Sequence, residues 1–218
     1  MSNDKPSVTR KALSPGRVEA LTDGVFAIVM TILVLELGVP IMAGEPLHTE
    51  LTGRLLAMWP QFLSYLVTFL MLGFMWSVHY YQFSSIRRSD SVLTWLNILF
   101  LMFMSLLPFS TSLLGQHIDE QVPILIYGGN FIACVAVRYF QWVYATKNYR
   151  LIDRDTNPFE VKQPKIMLPM AIGVFIIGMC LSLVSNLVSI CVFAAIMIFF
   201  IIRTTIYRRI SASAQPAK

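Results

Sequence analysis

Residues 17–37 read Arg-Val-Glu-Ala-Leu-Thr-Asp-Gly-Val-Phe-Ala-Ile-Val-Met-Thr-Ile-Leu-Val-Leu-Glu-Leu. The run is long and apolar enough to cross a bilayer. It nevertheless carries an arginine and two acids near its start and another acid near its end. Charges at such positions are costly in lipid and need partners or a task. On a helix turning about 100° per residue, Gly24, Ile28, Thr31, Ile32 and Leu35 share one face. Asp23 points well away from it. This helix has an apolar stripe with one hydroxyl in it, and a separate polar corner at its beginning.

The rest of the chain has the same character. Of its 218 residues, 56% are hydrophobic and 13% charged. Soluble domains average about 25% charged and about 45–50% apolar. With a mean hydropathy of +0.65, this is an integral membrane protein. The net charge of +5 does not indicate nucleic acid as a partner, because the basic residues sit at the ends of apolar runs. That arrangement sets orientation in a membrane.

Six apolar segments of about 19–30 residues succeed one another, each able to span a core about 30 Å thick. The expected fold is all-α with six transmembrane helices over residues 14–210. Polar tails occupy residues 1–13 and 211–218, the first of them mobile. Ser14-Pro15 starts helix 1, serine as N-cap and proline in the first turn, and its apolar part is 18–39. Helix 2 covers about 54–83 and contains Pro60. Helix 3 covers about 92–114, where Pro108 removes a backbone bond and predicts a kink. Helix 4 is about 122–146, helix 5 about 166–184 and helix 6 about 187–207. Between helices 4 and 5, residues 147–165 form a polar loop broken by Asn157-Pro158 and Gln163-Pro164. A signal peptide would also place basic residues before an apolar core. The first run is too long for that, Asp23 interrupts it, and no convincing cleavage site comes after it.

Lysine and arginine concentrate on one side of such a bundle. Lys5, Arg10, Lys11, Arg17, Arg87, Arg88, Lys147, Arg150, Arg154, Lys162, Lys165, Arg203, Arg208, Arg209 and Lys218 share it. The opposite loops hold Arg54 with Glu45, Glu50, Asp119 and Glu120. Both termini are therefore expected in the cytoplasm. Cys134, Cys180 and Cys191 lie inside apolar runs and are expected to be free, buried thiols.

No Ser-His-Asp or Cys-His arrangement, glycine-rich phosphate loop or paired histidines are visible, which argues against an enzyme, a cofactor or a bound metal. His48 and His117 are expected in solvated loops. Arg17, Asp23, Trp76, His79 and Asn97 belong to one membrane depth. Buried polar groups need partners, and these five, with Thr22, can satisfy one another across helices 1, 2 and 3. Such a cluster either locks the helices together or senses or conducts ions. Arg138, about two turns inside helix 4, either snorkels or pairs with an acid.

The segment Arg17-Val-Glu-Ala-Leu21-Thr22-Asp23 resembles the Arg-x-x-x-Phe-Ser-Asp signature of the endosomal and lysosomal potassium channel family, in its single-repeat prokaryotic form. Trp76-x-x-His79 looks like the family's helix 2 motif. Asn97, with residues 105–111 reading Ser-Leu-Leu-Pro-Phe-Ser-Thr, looks like its helix 3 motif. Leu21 and Thr22 replace Phe and Ser. The resemblance implies a cation channel of a prokaryotic plasma membrane, without a Thr-Val-Gly-Tyr-Gly filter. It implies a homotetramer in the lipid bilayer, with helix 1 of each copy lining a central pore for potassium. Its pore-lining positions map onto Ile28, Thr31, Ile32 and Leu35, the stripe that helix geometry picks out. In a ring of copies, Ile28 and Leu35 make apolar constrictions that gate by dewetting. Thr31 hydroxyls are placed to meet a partly dehydrated potassium ion. Two other classes stay open: a proton-coupled secondary transporter using Asp23, Glu36 or His79, and a non-transporting membrane scaffold.

Overall fold

Proline and capping chemistry decide where the helices begin and break. In a computed structural model of the chain, the described residues are 14–39, 48–195, 198–199 and 202. Helix α1 is Pro15–Leu35, with its proline in the first turn. Ser14 occupies the N-cap position, but its side chain makes no capping bond. The helix ends at Glu36, short of residue 39, and Gly38 beyond it takes the left-handed backbone (φ 62°) that glycine tolerates.

Expected helix 2 is two elements. Helix α2, His48–Ala57, and α3, Trp59–Ser85, are separated at Met58. Pro60 is the physical reason: it sits in the first turn of α3, where a missing N–H costs nothing, so a helix restarts there. Helix 3 is likewise interrupted, as its proline predicts. Helix α4 is Ser91–Ser105 and α5 is Leu107–Gln116, with Pro108 in the first turn of α5. Asp90 caps α4 by accepting from the Leu93 N–H at 2.9 Å.

Helix α6 is Gln121–Thr146, close to expectation. The connection after it is shorter than expected. Helix α7 is Pro158–Leu181, so much of the predicted polar loop is helical. Asn157-Pro158 acts as a cap and first-turn proline, not as a breaker: the Asn157 side chain accepts from the Phe159 N–H at 2.9 Å. Pro164 and Pro169 lie inside α7. Helix α8, Asn186–Ala195, is the apolar start of expected helix 6. Most of the remainder of that segment, the two tails, and residues 40–47 of the first loop lie outside the described residues.

Among the described residues, five helical stretches are long and apolar enough to cross a membrane. They are Pro15–Leu35, Trp59–Ser85, Ser91–Gln116, Gln121–Tyr149 and Pro158–Leu181. No strand occurs among these residues; Ile86 and Ile152 form an isolated antiparallel bridge.

Helix α6 is the centre of the packing, lying against α4, α5 and α7, while α1 lies against α3, α4 and α5. Phe26, Phe100, Tyr127, Phe131 and Phe193 are fully buried in one apolar cluster. Lipid tails are as apolar as these side chains, so interlocking of shape rather than escape from water holds the cluster. Gly178 shows how close that interlocking is: a Cβ there would collide with the Phe193 ring. A second cluster near the 150s loop joins Val18, Phe83, Leu93, Trp142 and Ile152. Leu151 fixes this loop from both sides, donating its N–H to Ala145 O at 3.0 Å and accepting from Arg87 N–H at 2.9 Å. The turn into it holds Asn148 and Tyr149 at left-handed φ values of 53° and 56°, a conformation that tyrosine rarely adopts.

The expected burial of three thiols holds for one of them. Cys134 is buried on α6, whereas Cys180 and Cys191 are exposed on the surface of the single chain. Their helix faces look outward from the bundle, where an apolar residue is equally at ease against lipid. His117 sits half-exposed at the end of α5, its Nδ1 3.5 Å from Glu120.

Candidate functional site: the two faces of the first helix

Helix α1 divides lengthwise. Val18, Thr22, Phe26, Val29 and Leu33, spaced by three or four, form its buried face. The opposite face carries the stripe: Ile28 is 57% exposed, Ile32 39% and Leu35 74%, with Thr31 exposed between them. These are apolar residues in a chain that has folded around the other side of the same helix. The Thr31 hydroxyl donates to Ile28 O at 2.8 Å. That leaves its oxygen lone pairs directed away from its own backbone, available to a cation or to water.

The polar residues around the start of α1 separate into two groups. On the exposed side, Trp76 Nε1 on α3 donates to Asp23 Oδ1 at 2.8 Å. On the buried side, a chain of hydrogen bonds crosses three helices. Thr22 Oγ1 donates to Val18 O at 2.9 Å and accepts from Asn97 Nδ2 at 2.8 Å. Gln141 Nε2 on α6 then donates to Asn97 Oδ1 at 3.2 Å. Asn97 thus uses both ends of its carboxamide to tie α4 to α1 and to α6. Arg17 stands exposed one to two turns before Asp23, with no side-chain bond among the described residues.

His79 belongs with the aromatic core. Its ring stacks on Phe83 at 4.2 Å and lies parallel to Phe100 at 6.3 Å. It is close enough to Asn97 to interact with that side chain, but neither ring nitrogen makes a well-formed hydrogen bond. Arg138 lies beside it, fully inside the bundle. The guanidinium donates to Gln82 Oε1 and stacks over Phe100 with Cζ 5.2 Å from the ring centroid. It neither snorkels nor meets an acid among the described residues.

Sequence reasoning missed Gln82 and Gln141, which are uncharged and stand inside apolar runs. A signal was present: His79 and Gln82 on one helix, and Arg138 and Gln141 on another, are each three apart and so share a face.

Replacing Asn97 with leucine keeps the volume and removes both links. Gln141 then loses its acceptor while remaining buried, so the folded protein is expected to lose about 1–2 kcal/mol. Thermal unfolding in detergent measures this. Adding Gln141→Leu is expected to recover part of the loss, because two absent partners cost less than one orphan.

Among the described residues, no group of three His, Cys, Asp or Glu side chains is placed to hold a metal ion. Comparison with known proteins identifies relatives along most of the chain. The family model described as endosomal/lysosomal potassium channel TMEM175 matches residues 17–108, from α1 into α5. A potassium channel of Chamaesiphon minutus is 33% identical over 193 residues, covering 87% of this chain and 94% of the relative. A potassium channel of Streptomyces collinus is 31% identical over 182 residues, covering 78% and 87%. The crystal structure of a lysosomal potassium-selective channel TMEM175 homolog from Chamaesiphon minutus has the same fold. Its TM-score is 0.74 at 31% identity, over 87% of this chain and 97% of that one. The chain therefore belongs to the endosomal/lysosomal potassium channel TMEM175 family.

Proposed function

We propose that this protein is a potassium-permeable channel of a prokaryotic membrane, in which four copies surround a pore lined by α1. The observation that carries the reading is the exposed stripe of Ile28, Thr31, Ile32 and Leu35 on a helix whose other face is fully packed. One chain has one such stripe and cannot enclose an ion path by itself. Repetition by cyclic symmetry turns each stripe residue into a ring. Relatives that are potassium channels and match most of the chain support the choice of ion.

Rings of Ile28 and Leu35 then form the gate. A narrow apolar ring offers no oxygen in place of an ion's water, so the pore dries when closed and must widen or twist to conduct. Between them, Thr31 supplies the hydroxyls that an ion can meet. Thr22, Asp23, Trp76, His79 and Asn97 hold the other end of α1 against α3 and α4, so that movement of the stripe is referred to a fixed base. Arg17 stands at that base, at the membrane surface. Both ends of the chain and the sixth span belong to the same plan, with Arg87, Arg88, Lys147 and Arg150 marking the cytoplasmic side.

Purified protein in liposomes tests this directly. A potassium gradient should discharge rapidly and without saturation, with sodium and proton gradients as controls. Slow, saturating flux coupled to protons would mark a transporter instead, and no flux from well-assembled protein would mark a scaffold.

A further inference from the structure

Arg138 carries a charge that the channel reading does not use. It is 3% exposed, and the side chains around it are equally enclosed: His79 at 0%, Gln82 at 4% and Phe100 at 0%. One guanidinium nitrogen, Nη2, is satisfied by Gln82 Oε1. The other, Nη1, has no partner among the described residues, and neither do Gln82 Nε2 or the two His79 ring nitrogens. These groups are neighbours. Gln82 is bonded to Arg138, and Phe100 lies against both Arg138 and His79.

Two demands coincide here. A guanidinium N–H and a carboxamide N–H lack an acceptor, and the imidazole beside them has no well-formed one. A full positive charge also lacks a counter-charge, and arginine does not shed its proton to escape the cost. Among the described residues no acid pairs with Arg138, and Asp153 and Asp90 pair with other arginines. Water would accept from the donors but leave the charge. A metal cation would be repelled. A dianion would replace one excess charge with another. A small monovalent anion meets both demands.

We infer that Arg138, Gln82 and His79 form a buried site for one small monovalent anion of the halide class in each copy. The ion neutralises the guanidinium and bonds α3 to α6 behind the α1 anchor. It lies off the cation path and acts on stability.

The test uses the full-length protein in detergent, with thermal unfolding followed at constant ionic strength. Chloride in place of gluconate, which is too large for an enclosed site, should raise Tm saturably by about 2–8 °C, and bromide should substitute for chloride. Crystals grown in bromide should show an anomalous peak against Arg138 Nη1 and Gln82 Nε2. Arg138→Gln should abolish the halide dependence of Tm. The wild-type bromide peak is an independent measurement that does not depend on how well that variant folds. A Tm indifferent to halide, a bromide-insensitive density that refines as water, or halide dependence retained in Arg138→Gln would each overturn the site.

Discussion

Asparagine in place of Ile28 raises resting potassium flux in liposomes by about tenfold or more. The size comes from the geometry. Ile28 is largely exposed on the single chain, so the substitution removes little packing within it. In the proposed tetramer the same position is a ring, and every copy changes at once. A tenfold gain needs about 1.4 kcal/mol off the barrier to ion passage, about 0.35 kcal/mol from each of the four copies proposed. A buried isoleucine is worth about 1.5–3 kcal/mol relative to water, so a carboxamide that keeps the constriction wet has ample leverage. The assay requires that the variant elute as the same assembly as the wild type. Unchanged flux from an intact assembly would remove α1 from the gate.

The stripe was legible in the sequence because helical spacing depends on residue order alone. Its role was not legible from order. Val18, Thr22, Phe26, Val29 and Leu33 make a second stripe on the same helix, equally apolar and also carrying one hydroxyl. Either could pack inward. What separates them is size and partners: Phe26 reaches Phe100 and His79, while Thr22 meets Asn97. Those partners stand on helices about fifty to seventy-five positions away, beyond the reach of local pattern. Helical geometry found the outward stripe, and the family resemblance supplied its reading as a pore lining rather than a packing seam.

Prolines are unevenly legible for a similar reason. Pro108 interrupts a long apolar run, so a break is the expected outcome, and α4 ends just before it. Asn157-Pro158 has the composition of a turn, yet the same two residues are a good cap and first helical position. Local chemistry cannot distinguish stopping a helix from starting one. The downstream residues make the choice, and here an apolar segment soon after Pro158 packs α7 along α6. The buried polar cluster shows the opposite limit. Arg138 is conspicuous by charge but has no visible partner in the sequence, while Gln82, which receives it, is hidden by its neutrality.

Alanine in place of Phe26 is expected to give the reverse of the Ile28 result, although the two residues are two positions apart. Phe26 is 1% exposed and lies against Phe100 and His79. Truncation leaves a cavity of about 100 Å³, which at about 24 cal/mol per Å³ costs about 2.4 kcal/mol. That figure omits the gain from leaving water, since the partly unfolded chain rests in lipid. Every 1.4 kcal/mol is tenfold, so the ratio of folded to unfolded protein falls roughly fiftyfold. Thermal unfolding should register this as a lower Tm and a poorer yield of assembled protein. Flux per assembled channel should rise far less than in Ile28→Asn, because the lost atoms belong to the face that holds α1, not to the face proposed to meet the ion. A Phe26→Ala channel as stable as the wild type would mean that the inward face does not anchor α1. One with flux matching Ile28→Asn would mean that the two faces are not separate devices.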